Sequence, residues 1–157
     1  ITTGGVSVGD YDLVYEALRS IKAEILYWKI DMRPGSPTLA AVKDGKVVLS
    51  LSGNPASAMV VFQLLGIPFI RKLAGRSDYL LPEIEVTLKE GFAKASPVRR
   101  FLRGKLVYEQ DRVYLETAAI PRNSVLRSMI GCDVLAEIPA GSGPVPAGSR
   151  LKAYLLK

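Results

Sequence analysis

The chain has 157 residues, 48% of them hydrophobic and 23% charged, a globular balance that excludes disordered and fibrous classes. A net charge of +6 and a pI near 9.5 raise nucleic acid as a partner, yet residues 1–76 carry nine Lys/Arg against six Asp/Glu and residues 77–157 twelve against nine. So mild and even a spread suits a small anionic ligand rather than a nucleic-acid backbone, and the densest basic group, Arg99, Arg100, Arg103 and Lys105, reads as the solvated face of a strand and turn.

The chain opens on a glycine-rich stretch, Thr3-Gly4-Gly5-Val6-Ser7-Val8-Gly9-Asp10-Tyr11-Asp12. From Asp10 the apolar positions Leu13, Val14, Ala17, Leu18 and Ile21 have helical spacing, with Asp10 suited to the N-cap. Residues 24–32 (EILYWKIDM) predict a strand that stops at the breaker cluster Arg33-Pro34-Gly35-Ser36-Pro37. Residues 38–43 and 46–51 flank Asp44-Gly45, a two-residue hairpin signal. The second arm runs into Ser52-Gly53-Asn54-Pro55, and a long apolar helix is expected over about residues 56–73, softened at Gly66 and Pro68. Loop, helix and strand in this order predict an α/β layer.

The texture changes after Gly75-Arg76-Ser77-Asp78. Short alternating stretches follow: EIEVTLKEGF, RFLRGKLVYE, RVYLETAA, DVLAEIP and RLKAYLL. Turn signals at 109–112 and in the Pro/Gly-rich segment 139–148 separate them. The pattern predicts a small all-β unit, a barrel or a sandwich.

Three loops of the first half can carry chemistry, because ligands of α/β sheets bind at strand ends. In the first, Gly4, Gly5 and Gly9 let backbone amides approach a ligand, Ser7 adds a hydroxyl, and a helix N-terminus follows. A phosphate or other oxyanion fits there. Asp10 and Asp12 would repel an anion, so they suit a metal, a ligand hydroxyl or amine, or a general base. The plainer reading makes the glycines a tight turn and Asp10 a cap. In the second loop Pro34 and Pro37 bracket Gly35-Ser36, a stiff turn that presents amides or serves structure alone. In the third, Ser52-Gly53-Asn54-Pro55-Ala56-Ser57, Pro55 suits a first helical turn, Asn54 can cap it, and Ser57 exposes a hydroxyl near the positive end. It is a second anion nest or a simple helix start.

Histidine is absent, which excludes a Ser-His-Asp triad or a His-ligated zinc within these residues. The single Cys132 excludes an internal disulfide and reads as a small buried hydrophobe. Tyr108 and Tyr114 read as packing residues. No signal peptide and no apolar run of membrane-spanning length is read, so a cytoplasmic protein without a membrane or nucleic-acid partner is expected. The chain starts at Ile1 and reads as a piece of a longer protein.

The runs TTGGVSVGDYDLV (2–14), RPGSP (33–37) and LSGNPASA (51–58), in this order, resemble the molybdopterin molybdenumtransferases, the MoeA and gephyrin E-domain type of molybdenum insertase. SPVRRFLRGKL (96–106) looks like the first long strands of that family's C-terminal barrel, and the run from Ser124 to Leu156 like its last strands. The resemblance implies an α/β plus all-β fold. Residues 1–76 would be the C-terminal part of a three-layer molybdopterin-binding α/β domain, and residues 77–157 a small β-barrel. It implies insertion of molybdate into adenylylated molybdopterin with release of AMP, assisted by Mg²⁺, in a cytoplasmic homodimer. Asp12 falls at the family's important carboxylate, and Asp10 beside it would join it in catalysis by helping to hold the cation or by polarising water. Gly4, Gly5, Ser7, Gly53, Asn54 and Ser57 would cradle pterin phosphate and molybdate, with Gly9, Pro34, Gly35, Ser36, Ser52 and Pro55 completing the loops.

Family members usually read KPGKP and LPGNP, where this chain has Ser36 in place of the second Lys and Ser52 in place of the first Pro. Losing a cation beside an oxyanion removes a charge-assisted bond of roughly 1.5–3 kcal/mol, which Arg33 offsets in part. These changes keep a second expectation open, a non-catalytic pterin-binding or scaffolding paralogue. Asp133 stands where an Asn is common and reads as structural.

Overall fold

The computed structural model describes residues 1–109, 112–118 and 126–156. The tip of the turn expected at 109–112, the final alanine of RVYLETAA and the beginning of the run from Ser124 lie outside the described residues.

The first half builds a four-stranded sheet from β1 (Thr2–Thr3), β2 (Glu24–Trp28), β4 (Leu39–Lys43) and β5 (Lys46–Leu51), in the order β1-β5-β4-β2. The expected hairpin is β4–β5, paired from Leu39↔Ser50 to Lys43↔Lys46. Asp44 and Gly45 both take positive φ, the backbone that matches the twist of the flanking strands. Alternation then sorts side chains to two faces. Leu39, Ala41, Val48 and Ile25 meet Val6 and Leu18 of helix α1 (Val14–Ser20) on one side. Ala40, Leu49 and Leu51 meet Ala58, Val60 and Val61 of helix α2 (Pro55–Val61) on the other. Helix, sheet and helix make three layers.

Helix α2 continues through a π-helical turn at Phe62–Gly66 into α3 (Ile67–Leu73), where the expected softening at Gly66 and Pro68 falls. Together they form a helix, Pro55–Leu73, long and apolar enough by length and composition to cross a membrane. That corrects the sequence reading that no such run exists; its first half is nevertheless packed into the core through Ala56, Ala58, Val60 and Val61. The strand expected over 24–32 is also divided: β2 stops at Trp28, and β3 (Met32–Arg33) leaves this sheet altogether.

The second half contributes β6 (Glu83–Leu88), β7 (Arg99–Glu109), β8 (Arg112–Thr117), β9 (Val134–Ile138) and β10 (Arg150–Leu155). Their order is β7-β8-β6-β10-β9, and pairing of β9 back to β7 closes a five-stranded barrel. Val86, Leu88, Leu115, Val134, Ala136, Ile138, Leu151 and Ala153 fill it. β3 runs parallel to β7, Met32 opposite Arg99 and Arg33 opposite Arg100. Met32, Phe101 and Leu135 belong to the same buried cluster as Leu49 and Val61, so one core joins the two halves.

Candidate functional site

The sheet topology puts all three loops at one edge. β1 and β5 are parallel, so the loops after Thr3 and after Leu51 leave from the same end. β4 is antiparallel to β5, so its entry, the Arg33–Pro37 loop, also lies there. The Gly4 amide donates to the Leu51 carbonyl at 2.9 Å. Gly4 adopts φ +83°, and a β-carbon on Gly53 would come 3.4 Å from the Gly4 Cα, so the first and third loops meet backbone to backbone. The second loop rests on helix α2 through Gly35, which leaves space there for Val61 and the Ser57 carbonyl.

Within the first loop Val6 is buried while Val8, Gly9, Asp10 and Tyr11 are exposed. The Asp12 carboxylate accepts the Gly9 amide at 2.7 Å, and the Asp12 amide donates back to the Gly9 carbonyl at 2.9 Å. Asp10 does not cap the helix as the spacing suggested. The helix starts at Val14, Leu13 holds the cap position without a side-chain bond, and the Asp12 carboxylate closes its own turn instead. Asp10 projects from that turn, and neither carboxylate has a cationic partner among the described residues.

The third loop keeps its donors by a different arrangement. Ser52 is buried and its hydroxyl oxygen accepts the Asn54 amide at 3.2 Å, so it forms the turn. Pro55 occupies the first turn and Asn54 makes no side-chain cap, which leaves the amides of Ala56 and Ser57 at an uncapped end. Ser57 is itself buried. In the second loop the Ser36 carbonyl accepts from both Ile30 and Thr38, while the Thr38 hydroxyl donates to the Gly35 carbonyl.

Sequence reasoning missed Arg103. It is 5% exposed, and its Nη1 has no hydrogen-bond partner. Burial drives its guanidinium pKa below the ordinary value. Arg103 lines a cavity of about 220 Å³ with Arg33, Pro34, Glu90 and Arg100. Burial and then the Arg33 charge push the Arg100 guanidinium down as well. Three arginines and one carboxylate, Glu90, thus line one small cavity, an excess of positive charge in which one buried guanidinium nitrogen lacks a partner and is available to an anion. The solvated-face reading therefore holds for exposed Arg99 and Lys105 and fails at Arg103. A signal was present: Arg103 shares strand parity with Phe101, and Leu102 between them packs toward the barrel interior, so both faces of β7 are covered.

A cavity of about 590 Å³ lies elsewhere, between β2, the π-helical turn and the barrel wall. Its body is apolar and Arg99 at its rim already pairs with Glu137, so it is poorly suited to an oxyanion. Two structural readings of the sequence agree with the geometry. Cys132 is buried, with its thiol donating to the Ser128 carbonyl, and Asp133 accepts the Leu106 amide.

Residues 1–72 match the family described as "Probable molybdopterin binding domain", and residues 85–156 match "MoeA C-terminal region (domain IV)". Molybdopterin molybdenumtransferases of Staphylococcus aureus (strain Mu50 / ATCC 700699) and Staphylococcus epidermidis (strain ATCC 12228 / FDA PCI 1200) are each 36% identical to this chain over 155 residues, 99% of it. The chain spans 37% of the length of those curated relatives. A molybdopterin biosynthesis MoeA protein from Pyrococcus horikoshii superposes over the whole chain with a TM-score of 0.76 at 27% identity, using 36% of its own length. A molybdenum cofactor biosynthesis protein from Pyrococcus furiosus shares the fold at a TM-score of 0.65 and 19% identity, covering 92% of this chain and 54% of its own.

Proposed function

Because the chain belongs to the molybdopterin molybdenumtransferase (MoeA) family, we propose that it forms the oxyanion and pterin-phosphate part of an enzyme that inserts molybdate into adenylylated molybdopterin. In that reaction molybdate enters the adenylylated pterin, and water cleaves the phosphoanhydride, leaving the phosphate on the pterin and releasing AMP. The observation that supports the reading most is the meeting of the three loops at one sheet edge, Gly4 on Gly53 and Gly35 on helix α2, beside the arginine-lined cavity.

Each part has a task. The amides of Gly5 and Gly53, the Ser7 hydroxyl and the uncapped amides at Ala56 and Ser57 donate to phosphate and molybdate oxygens, while the Gly4 and Gly9 amides are engaged by Leu51 and Asp12 and shape the loop. Gly9 and Gly53 allow the close approach, while Pro34, Gly35, Ser36, Ser52, Asn54 and Pro55 hold the loops in shape. Arg33, Arg100 and Arg103 balance the dianion, which offsets the missing lysine at Ser36 and favours an active enzyme over a silent paralogue. Asp12, fixed by the Gly9 amide, is the working carboxylate.

Among the described residues no three His, Cys, Asp or Glu converge, so a metal cage built from protein alone is not part of the reading. The Asp10 and Asp12 pair nevertheless fits Mg²⁺, which takes one or two carboxylates and completes its shell with phosphate and water. Bound there, Mg²⁺ would neutralise phosphate charge as the anhydride breaks. We take residues 1–76 and 77–157 as the two domains. The cytoplasmic homodimer belongs to the same proposal, supported by the exposed apolar Leu65, Ile70 and Leu73 that association would cover.

The test supplies the intact protein with adenylylated molybdopterin, molybdate and Mg²⁺ and follows AMP by chromatography. Stoichiometric AMP release dependent on molybdate supports the reading. Its absence, with pterin still bound, favours the non-catalytic paralogue.

A further inference from the structure

Trp28 is the chain's single tryptophan, at the end of β2. β2 and β1 are opposite edges of the four-stranded sheet, three strand spacings or roughly 14 Å apart. Yet the indole N–H of Trp28 donates to the Val6 carbonyl, in the loop that follows β1, at 2.9 Å. A β-bulge makes this reach available. Ile25 pairs with Ala41 and Tyr27 with Ala40, so Leu26 is the extra residue between them. In unbroken alternation Ile25 and Tyr27 would share a face and Trp28 would take the other. The bulge puts Tyr27 on the α2 side and returns Trp28, opposite Leu39, to the face where Val6 and α1 lie.

We propose that Trp28 is a positioning residue for the opening loop, setting its oxyanion affinity through the Val6 carbonyl. This rests on the oxyanion reading above. The Val6 side chain is sunk in the core at 2% exposure, which fixes where the loop crosses the sheet end but not how its peptide planes turn. The Val6–Ser7 peptide is one rigid unit, with the Ser7 N–H antiparallel to the Val6 C=O. Holding that carbonyl against the indole therefore aims the Ser7 amide away from it, and this amide takes no acceptor among the described residues. The indole is itself held in place. The Tyr15 ring, on the helix after the loop, stacks on it at 4.4 Å and 22°, and the Lys29 ammonium lies 4.7 Å from its ring centre. Loop, following helix and far strand thus converge on one ring, and the loop's donors are oriented before a ligand arrives, which lowers the ordering cost of binding.

The experiment replaces Trp28 in the intact protein with benzothienylalanine, which keeps the ring shape and the stack but has sulfur where the N–H was. Molybdate binding is measured by calorimetry, and the Gly4–Gly9 amides are followed by hydrogen exchange. The expected result is a loss of molybdate affinity of about three- to tenfold, the scale of one neutral hydrogen bond, with faster exchange across the loop. 7-Azatryptophan, which retains the N–H, restores both. Unchanged affinity and unchanged exchange overturn the proposal. If the wild-type protein binds no molybdate, the oxyanion reading fails, and exchange alone then decides: faster exchange in the sulfur variant upholds loop positioning, and equal exchange overturns it.

Discussion

Gly35 sits so close to Val61 that a β-carbon on the glycine would lie 2.2 Å from the valine Cγ2, and Gly35 adopts φ +106°. Both sterics and backbone exclude a side chain there. Gly35→Ala is expected to destabilise the protein by about 2–4 kcal/mol, from overpacking together with backbone strain. Urea denaturation reads it as a lower midpoint at constant slope. A midpoint within error of wild type would mean that the second loop does not rest on α2.

Asp12 invites a test that separates its turn bond from its charge. Asp12→Asn keeps an oxygen acceptor for the Gly9 amide and removes the charge. Single-turnover AMP release should fall by about 10²-fold or more, the usual scale for a positioned carboxylate, while thermal stability stays close to wild type. Full activity in the asparagine variant would reduce Asp12 to a turn-former.

At Arg103, function and stability should move in opposite directions. Arg103→Met removes an incompletely satisfied buried guanidinium, so stability is expected to hold or rise by about 1–2 kcal/mol. The same change should weaken molybdate binding by roughly ten- to a hundredfold, one charge-assisted bond. A marked loss of stability with unchanged affinity would make this arginine a packing element.

Acid should weaken the barrel through Glu137. Its carboxylate, 12% exposed, accepts two bonds from Arg99 at 2.7 and 2.9 Å and one from the Tyr154 hydroxyl at 2.8 Å. The Arg99 bond is the largest of the influences that hold its pKa below the ordinary glutamate value. A carboxylate depressed on folding stabilises above its unfolded pKa of about 4.3 and loses that contribution as pH falls toward the folded value. Stability measured from pH 6 to 3 should therefore drop below about pH 4. Arg99 is half exposed and solvent screens the pair, so Glu137→Gln should cost about 1 kcal/mol at pH 7 and flatten the acid slope.

Features set by neighbouring residues are legible in the amino-acid sequence. Asp44-Gly45 announces the β4–β5 hairpin through its turn chemistry, the glycines of the first loop announce backbone exposure, and the alternating runs after Ser77 announce the barrel strands. What stays hidden depends on contacts between distant residues. Arg103 shares strand parity with the apolar Phe101, but nothing local reveals that it is the α/β half that covers that face of β7. The spacing at Asp10 is that of a cap, and it loses to a tighter turn made by Asp12. A bulge at Leu26 leaves no composition signal, so the direction of Trp28 is not readable from the residues around it. Ser52 reads as a damaged ligand residue until its bond to the Asn54 amide shows what it replaces.

The second loop leaves from β3, which is hydrogen-bonded to the barrel, and arrives at β4, which is hydrogen-bonded to the other sheet. It is a strap buckled at both ends. The two halves cannot hinge apart without stretching it, and a ligand that reshapes it exerts a torque on the barrel. Since the strap crosses a core that both halves share, the molecule should unfold in a single cooperative transition instead of two.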